Sequence, residues 1–244
     1  MAVEATHSPG RRLAWLARRL IHFDLPHLIV GPQAAYEYHR WLTPLENLVT
    51  LQIYAEDAPF WNQMAEEGCH VFETPPTTAQ VHAAQEAIIL DSTLEPKRHQ
   101  RQRMIDGLAF IAPEDLCLDL LDRARGETSL AEAAAIIIVQ RAFLAWDLLL
   151  DQAEQRGLAR RLGALLDAIN AETEKALIPT EAIKELGRLV DTTLPPLEKA
   201  IYPPGRHRSI PSSYRPIGER WGVRLALPRY VIGKVVLDLQ PQRS

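Results

Sequence analysis

Few of the acids, bases and nucleophiles in this 244-residue chain stand at spacings that do chemistry. Asp147 and Asp151 lie four apart, as do Asp119 and Arg123, so each pair shares one face of a helix. Two carboxylates so placed can trade a proton, but Leu148, Leu149 and Leu150 between them claim the inward face and assign both acids to the surface. The histidines are scattered, and the closest pair, His22 and His27, straddles a predicted helix-to-strand junction, a poor geometry for fixed metal ligands. No glycine-rich phosphate loop, nucleophile elbow, paired-cysteine motif or His-Glu metal helix occurs. These patterns point to no catalytic residue, no metal and no cofactor.

Charge is the stronger signal. The net charge of −4 conceals a basic end: residues 205–244 hold Arg206, Arg208, Arg215, Arg220, Arg224, Arg229, Lys234 and Arg243 against Glu219 and Asp238, so that stretch is +6 and the remainder −10. Cations gathered on one surface attract phosphates or an acidic protein. Residues 221–227 and 230–239 are rich in β-formers and separated by Pro228, which predicts a C-terminal β-hairpin. Alternation along its first strand puts Arg220, Gly222 and Arg224 on one side and Trp221, Val223 and Leu225 on the other. Arg220, Arg224 and Arg229 are therefore the expected partner-binding face, for a protein or for nucleic acid. Lys97, Arg98, His99, Arg101 and Arg103 make a second basic cluster just ahead of Asp106-Gly107, expected on a hairpin arm.

With 47% apolar and 24% charged residues the chain can bury one large core or two modest ones, which excludes disorder as its main state. The longest apolar runs, residues 133–139 and 225–239, are too short or are broken by Arg229 and Lys234, so no bilayer span is expected. The N-terminus lacks the basic and apolar regions of an export signal. Cys69 and Cys117 cannot by themselves build a disulfide framework or a zinc site. A cytoplasmic protein with no membrane contact is expected.

The hydrophobic period changes once along the chain. Residues 9–22 read as an amphipathic helix, 27–30 as a strand ending at Gly31-Pro32, 33–42 as a helix and 48–54 as an alternating strand. A helix from Asp57 to Gly68, strands at 71–73 and 87–90, and a hairpin around Asp106-Gly107 complete an α/β unit over residues 1–112. Helical patterns at 113–125, 129–141, 142–155, 158–171 and 183–190 then predict an α-helical bundle over 113–190. Pro195, Pro196, Pro203, Pro204, Pro211 and Pro216 mark an extended connection over 191–218, which leads to the basic hairpin and makes 191–244 a third region. The expected class is α+β.

The helix, the apolar strand ending at Gly31, the helix with Ala34-Ala35 and the strand 48–54 followed by Ala55-Glu56-Asp57 resemble the core of the nucleotidyltransferase superfamily. Residues 111–116 (Ile-Ala-Pro-Glu-Asp-Leu), the helix through Arg125-Gly126, and Trp146-Asp147-Leu148-Leu149-Leu150 resemble the helical half of such proteins. The resemblance spans about residues 10–172 and implies a nucleotidyltransferase-like mixed sheet followed by the bundle. In that superfamily the strand after the glycine turn carries two metal-binding carboxylates at i and i+2. Here residues 47–52 (Asn-Leu-Val-Thr-Leu-Gln) supply none in any register, and two metal ions need oxygen ligands with formal charge. Pro32 also departs from the family's Gly-Gly or Gly-Ser turn, because it removes an N–H. The resemblance thus implies a vestigial cleft around Gly31, Thr50, Gln52 and Asp91. The alternative is a nucleotidyltransferase with a displaced site, in which Asp91, Glu114 or Asp115 holds magnesium and the arginine clusters take a nucleoside triphosphate.

Among carboxylate-free relatives, the chain is similar to the antitoxin component of AbiE-type abortive-infection toxin/antitoxin systems. Residues 160–166 (Arg-Arg-Leu-Gly-Ala-Leu-Leu) match that family's Arg-Leu-Gly-x-Leu-Leu helix, and residues 220–225 (Arg-Trp-Gly-Val-Arg-Leu) its terminal Arg-Trp-x-Val strand. The resemblance implies a non-catalytic, regulatory or toxin-neutralising protein whose partner is a cognate toxin. Such antitoxins commonly begin with a winged-helix domain, whereas only about 25 residues precede the first strand here, too few for three helices and a wing. A third reading is an adaptor in which the apolar helices over 129–156 form a dimer interface.

Overall fold

A computed structural model of the chain describes residues 13–20, 25–41, 44–45, 47–66, 68–122, 127–173, 176–190, 214–223 and 229–239. Its fold is α+β, and among the described residues it carries one mixed six-stranded sheet. Strand β1 (His27–Val30) stops at Gly31, where a φ of +70° suits a residue without a Cβ, and helix α2 (Gly31–His39) begins at once. Strands β2 (Leu48–Ile53), β3 (His70–Phe72), β4 (Ala87–Asp91), β5 (Arg103–Ile105) and β6 (Leu108–Phe110) complete the sheet in the order β3-β4-β2-β1-β6-β5. β1 runs antiparallel to β2, β2 and β3 run parallel to β4, and β6 runs parallel to β1. Asp106 and Gly107 both take left-handed φ, +50° and +80°, as the tight turn joining antiparallel β5 and β6 requires.

Side chains alternate across the sheet, so paired residues share a face. Ile29, Val49, Leu51, Ile53, Ile88, Leu90 and Phe110 form one wholly buried apolar face. Helix α1 (Ala14–Leu20) is pinned by Arg19, which reaches Glu86 at 3.0 Å. Between β2 and β3, a short helical stretch that includes α3 (Ala58–Trp61) buries Trp61 and Met64 completely. Helix α4 (Thr78–Ala83) starts on a capping box formed by Thr77 and Gln80. Helix α5 (Pro96–Gln100) replaces the hairpin arm expected for the second basic cluster: Pro96 opens it, which suits a residue without an N–H, and of that cluster only Arg103 lies on β5.

These elements belong to one of two compact units, drawn from Met1–Glu37 and Thr43–Ala112; the other is drawn from Tyr38–Leu42 and Pro113–Ser244. In the second, α7 (Glu127–Gln140) is buried on every side over residues 130–138, as befits a central helix, and it packs on α6 (Pro113–Asp122) and α12 (Arg229–Leu239). Helices α8 (Trp146–Gln155), α9 (Ala159–Ala171), α10 (Thr180–Leu189) and α11 (Arg215–Trp221) complete it. Trp41 joins this unit through its indole N–H, which donates to Asp238 Oδ2 at 2.8 Å. No described helix is long and apolar enough to cross a membrane.

The expected C-terminal hairpin is not present among the described residues. Residues 215–221 and 229–239 are helices, and the Pro-rich stretch at 191–213 and Arg224 lie outside the described residues. Pro216 sits in the first turn of α11, and Gly222 ends that helix at φ +62°, with the Val223 N–H bonding the Gly218 carbonyl at 3.0 Å. In α12 the buried residues are Ile232, Val235 and Val236, a helical spacing that overrides the β-preference of their side chains.

Two buried ionisable groups of this unit oppose each other in their effect on stability. Burial lowers the His39 pKa to about 4, while its Nδ1 accepts the Trp41 N–H at 2.8 Å. Unfolded His39 takes up a proton near 6.5, so its contribution falls as the pH drops from 6.5 to about 4. Glu132 on α7 is raised by burial from 4.5 to about 7, so its contribution is full below 4.5 and is lost as the pH rises through 7. Glu132→Gln is expected to stabilise the protein by about 3 kcal/mol above neutrality and to do nothing below pH ~4.5, as read from urea midpoints across that range.

Candidate functional site

On the face of the sheet opposite the apolar one, β2 and β4 carry a polar patch beside the buried Leu28 and Val30 of β1. Thr50 and Gln52 are two apart on β2, and the parallel register sets Gln52 beside Asp91. A Cβ added to Gly31 would meet Thr50 Oγ1 at 3.7 Å, so the turn after β1 lies against the same face. The four residues of the expected cleft, Gly31, Thr50, Gln52 and Asp91, are therefore brought together. Gln52 is only 2% exposed, yet Gly31, Thr50 and Asp91 are half-buried, so the polar face reaches solvent around them.

Two further residues complete the cluster. Gln52 Nε2 donates to Thr93 Oγ1 at 2.8 Å, and Thr93 donates to Asp91 Oδ1 at 2.6 Å. On its other side, Gln52 Oε1 accepts from Arg98 of α5 at 3.3 Å. The hydrogen bonds run in one direction, from a guanidinium through an amide and a hydroxyl to a carboxylate, and each polarises the next. Beside them the His99 ring stands edge-on to Tyr54, centroids 6.2 Å apart. Thr93 carries no sequence signal. Arg98 was visible as one of a run of cations, but only Pro96 hinted that the run begins with a helix.

A two-metal centre does not fit this donor set. Thr50 offers a hydroxyl and Gln52 an amide where charged oxygens are needed, and Asp91 already accepts from Thr93. Among the described residues no group of three or more His, Cys, Asp or Glu side chains is placed to hold a metal. In the second unit Glu114 and Asp115 are buried in the first turn of α6, and Glu114 Oε1 accepts the Ala145 N–H at 2.7 Å, a structural task. Both cysteines are buried, and burial together with Glu114 pushes the Cys117 thiol far above its ordinary value.

The second site is a junction between α9 and α11. Asp167 Oδ2 accepts the Trp221 indole N–H at 2.6 Å and the Arg220 guanidinium at 3.0 Å. Arg160 donates to the Trp221 carbonyl at 3.4 Å, which caps the end of α11. The Trp221 ring lies on Gly163 so closely that a Cβ there would come within 2.3 Å of it. The two short segments that carry the antitoxin resemblance thus meet in space, through Asp167, which sequence reasoning passed over. Arg220 is exposed at the rim of this junction, 5.4 Å from the Trp221 ring centroid. The alternation expected to group it with Arg224 is replaced by a helix end: Arg220 is on α11, and Arg229, the third residue of the expected partner-binding face, opens α12.

Gly163→Ala is expected to cost about 1–3 kcal/mol by overpacking. Gly187→Ala, in α10 with nothing within 4 Å of the new methyl group, should instead stabilise by about 0.5–1 kcal/mol; thermal melts of the two variants check the contrast. No family model matches the chain, and no curated protein or solved structure matches it at a significant level.

Proposed function

We propose that the chain is a non-catalytic, nucleotidyltransferase-like protein of the antitoxin type, which acts in the cytoplasm by binding a cognate toxin. The observation that carries this reading is the β2 face: the strand that follows the Gly31 turn bears Thr50 and Gln52 on its polar side and no carboxylate, and Gln52 is committed to Thr93 and Arg98. Further support comes from the junction of residues 160–166 with Arg220 and Trp221, the two segments that resemble the antitoxin family. Its exposed rim, with Arg220 beside Asp167, is the surface assigned to the partner.

Thermal melts with each nucleoside triphosphate, in magnesium and in chelator, test the loss of catalysis. The expected result is no magnesium-dependent shift, whereas such a shift would favour the displaced metal site instead. Toxin neutralisation is tested by co-expression with the product of the adjacent gene, expected to be a nucleotidyltransferase that keeps both carboxylates. Growth should be restored by the wild type and lost with Arg220→Ala, whose own stability should change by less than about 1 kcal/mol because the ion pair is exposed. Restored growth with the variant would remove Arg220 from the interface.

A further inference from the structure

The turn between α7 and α8 holds an aromatic ring out in water. Phe143 is 77% exposed, whereas its neighbour Leu144 is buried. The amides of both donate to the Gln140 carbonyl, at 2.7 and 2.9 Å. The Arg141 guanidinium donates to the Ile138 carbonyl, and the Arg141 carbonyl accepts the Trp146 indole N–H at 3.1 Å. The Ala145 N–H is held at 2.7 Å by Glu114, a carboxylate only 1% exposed. A loose loop would fold its phenylalanine away, but these bonds fix this one with the ring outward, and a ring fixed in advance loses little entropy on binding.

The helix that follows adds charge. Asp147, Asp151 and Glu154 are all exposed and stand at i, i+4 and i+7, on one face of α8. Among the described residues none of them has an ion pair. Asp147 suits the first turn, but Glu154 stands in the last, where the helix dipole disfavours an acid, and neighbouring acids on the stripe repel one another. Helix stability does not account for this stripe.

We infer that Phe143 and the acidic stripe of α8 form a docking surface for a protein that offers an apolar pocket framed by lysine or arginine. The ring fills the pocket, and the carboxylates meet the cations. Nucleic acid and anionic lipid would bring phosphates against the stripe, and a second copy related by a two-fold axis would bring the stripe against itself. The inference does not rest on the toxin reading.

β-Cyclodextrin is a host with an apolar cavity, and the full chain is titrated calorimetrically with its neutral, amino-substituted and sulfated forms. The amino form should bind about tenfold more tightly than the neutral one, and the sulfated form most weakly. Phe143→Ser should weaken the amino form at least about tenfold, whereas Phe60→Ser, which removes another exposed phenylalanine, should not. Asp151→Asn combined with Glu154→Gln should bring the amino form down to the level of the neutral one. Melting temperatures should hold in every variant, because the side chains replaced are exposed. Equal binding of the three hosts, no binding, or binding that ignores Phe143→Ser overturns the inference. Self-association in sedimentation equilibrium, or capture by phosphatidylglycerol vesicles, overturns it too if Phe143→Ser abolishes it, since the face then belongs to a second copy or to a membrane.

Discussion

A primary amide buried at the centre of a sheet must find its hydrogen bonds inside the protein, and Gln52 imposes that requirement on everything around it. Its N–H is met by Thr93, just past β4, and its carbonyl by Arg98 of α5. Thr93 passes the demand on to Asp91, so the segment after β4 and the helix that follows are held to the polar face by one directed chain. A face built for two metal ions is strongly anionic until the metals arrive. This one carries a guanidinium at one end and a carboxylate at the other.

The second unit depends on a comparable local constraint of the opposite kind. Gly163 lets an indole ring lie directly on the backbone of α9, and Asp167 one turn later fixes the ring's N–H. Close approach and a hydrogen bond together specify one orientation of α11 against α9, where apolar contact alone would tolerate several. The same aspartate also holds Arg220, so the residue assigned to the partner is positioned by the group that orients the tryptophan.

Much of the α/β unit was legible in the sequence because its signals are local. Gly31, Asp106 and Gly107 mark turns that demand left-handed backbone, and the alternation of Leu51 and Ile53 against Thr50 and Gln52 fixes which face is buried. The helices of the bundle were visible through their apolar period. The C-terminal helices were not, since Trp221, Val223, Val231 and Val235 suggest strand by composition, while the spacing of Ile232, Val235 and Val236 was the better guide. Gly222, taken there for a strand residue, is a helix stop. The candidate site was half legible: alternation put Thr50 and Gln52 on one face and the family resemblance added Gly31 and Asp91, whereas Thr93 and Arg98 depend on how the chain folds back after β4, which no short-range pattern encodes.

The bond between Trp41 and Asp238 joins residues 197 positions apart. A growing chain emerges from the ribosome N-terminus first, so Trp41 is available long before the helix that carries Asp238 has been made. The helical unit can gather α6 to α10 during synthesis, but α7 keeps one flank uncovered until α12 arrives to pack against it. Premature termination ahead of residue 229 would therefore leave an apolar helix open to solvent, a form that the quality-control proteases of the cell recognise. Only a chain made at least through α12 covers that flank of α7, which ties the soundness of this unit's core to its last described helix.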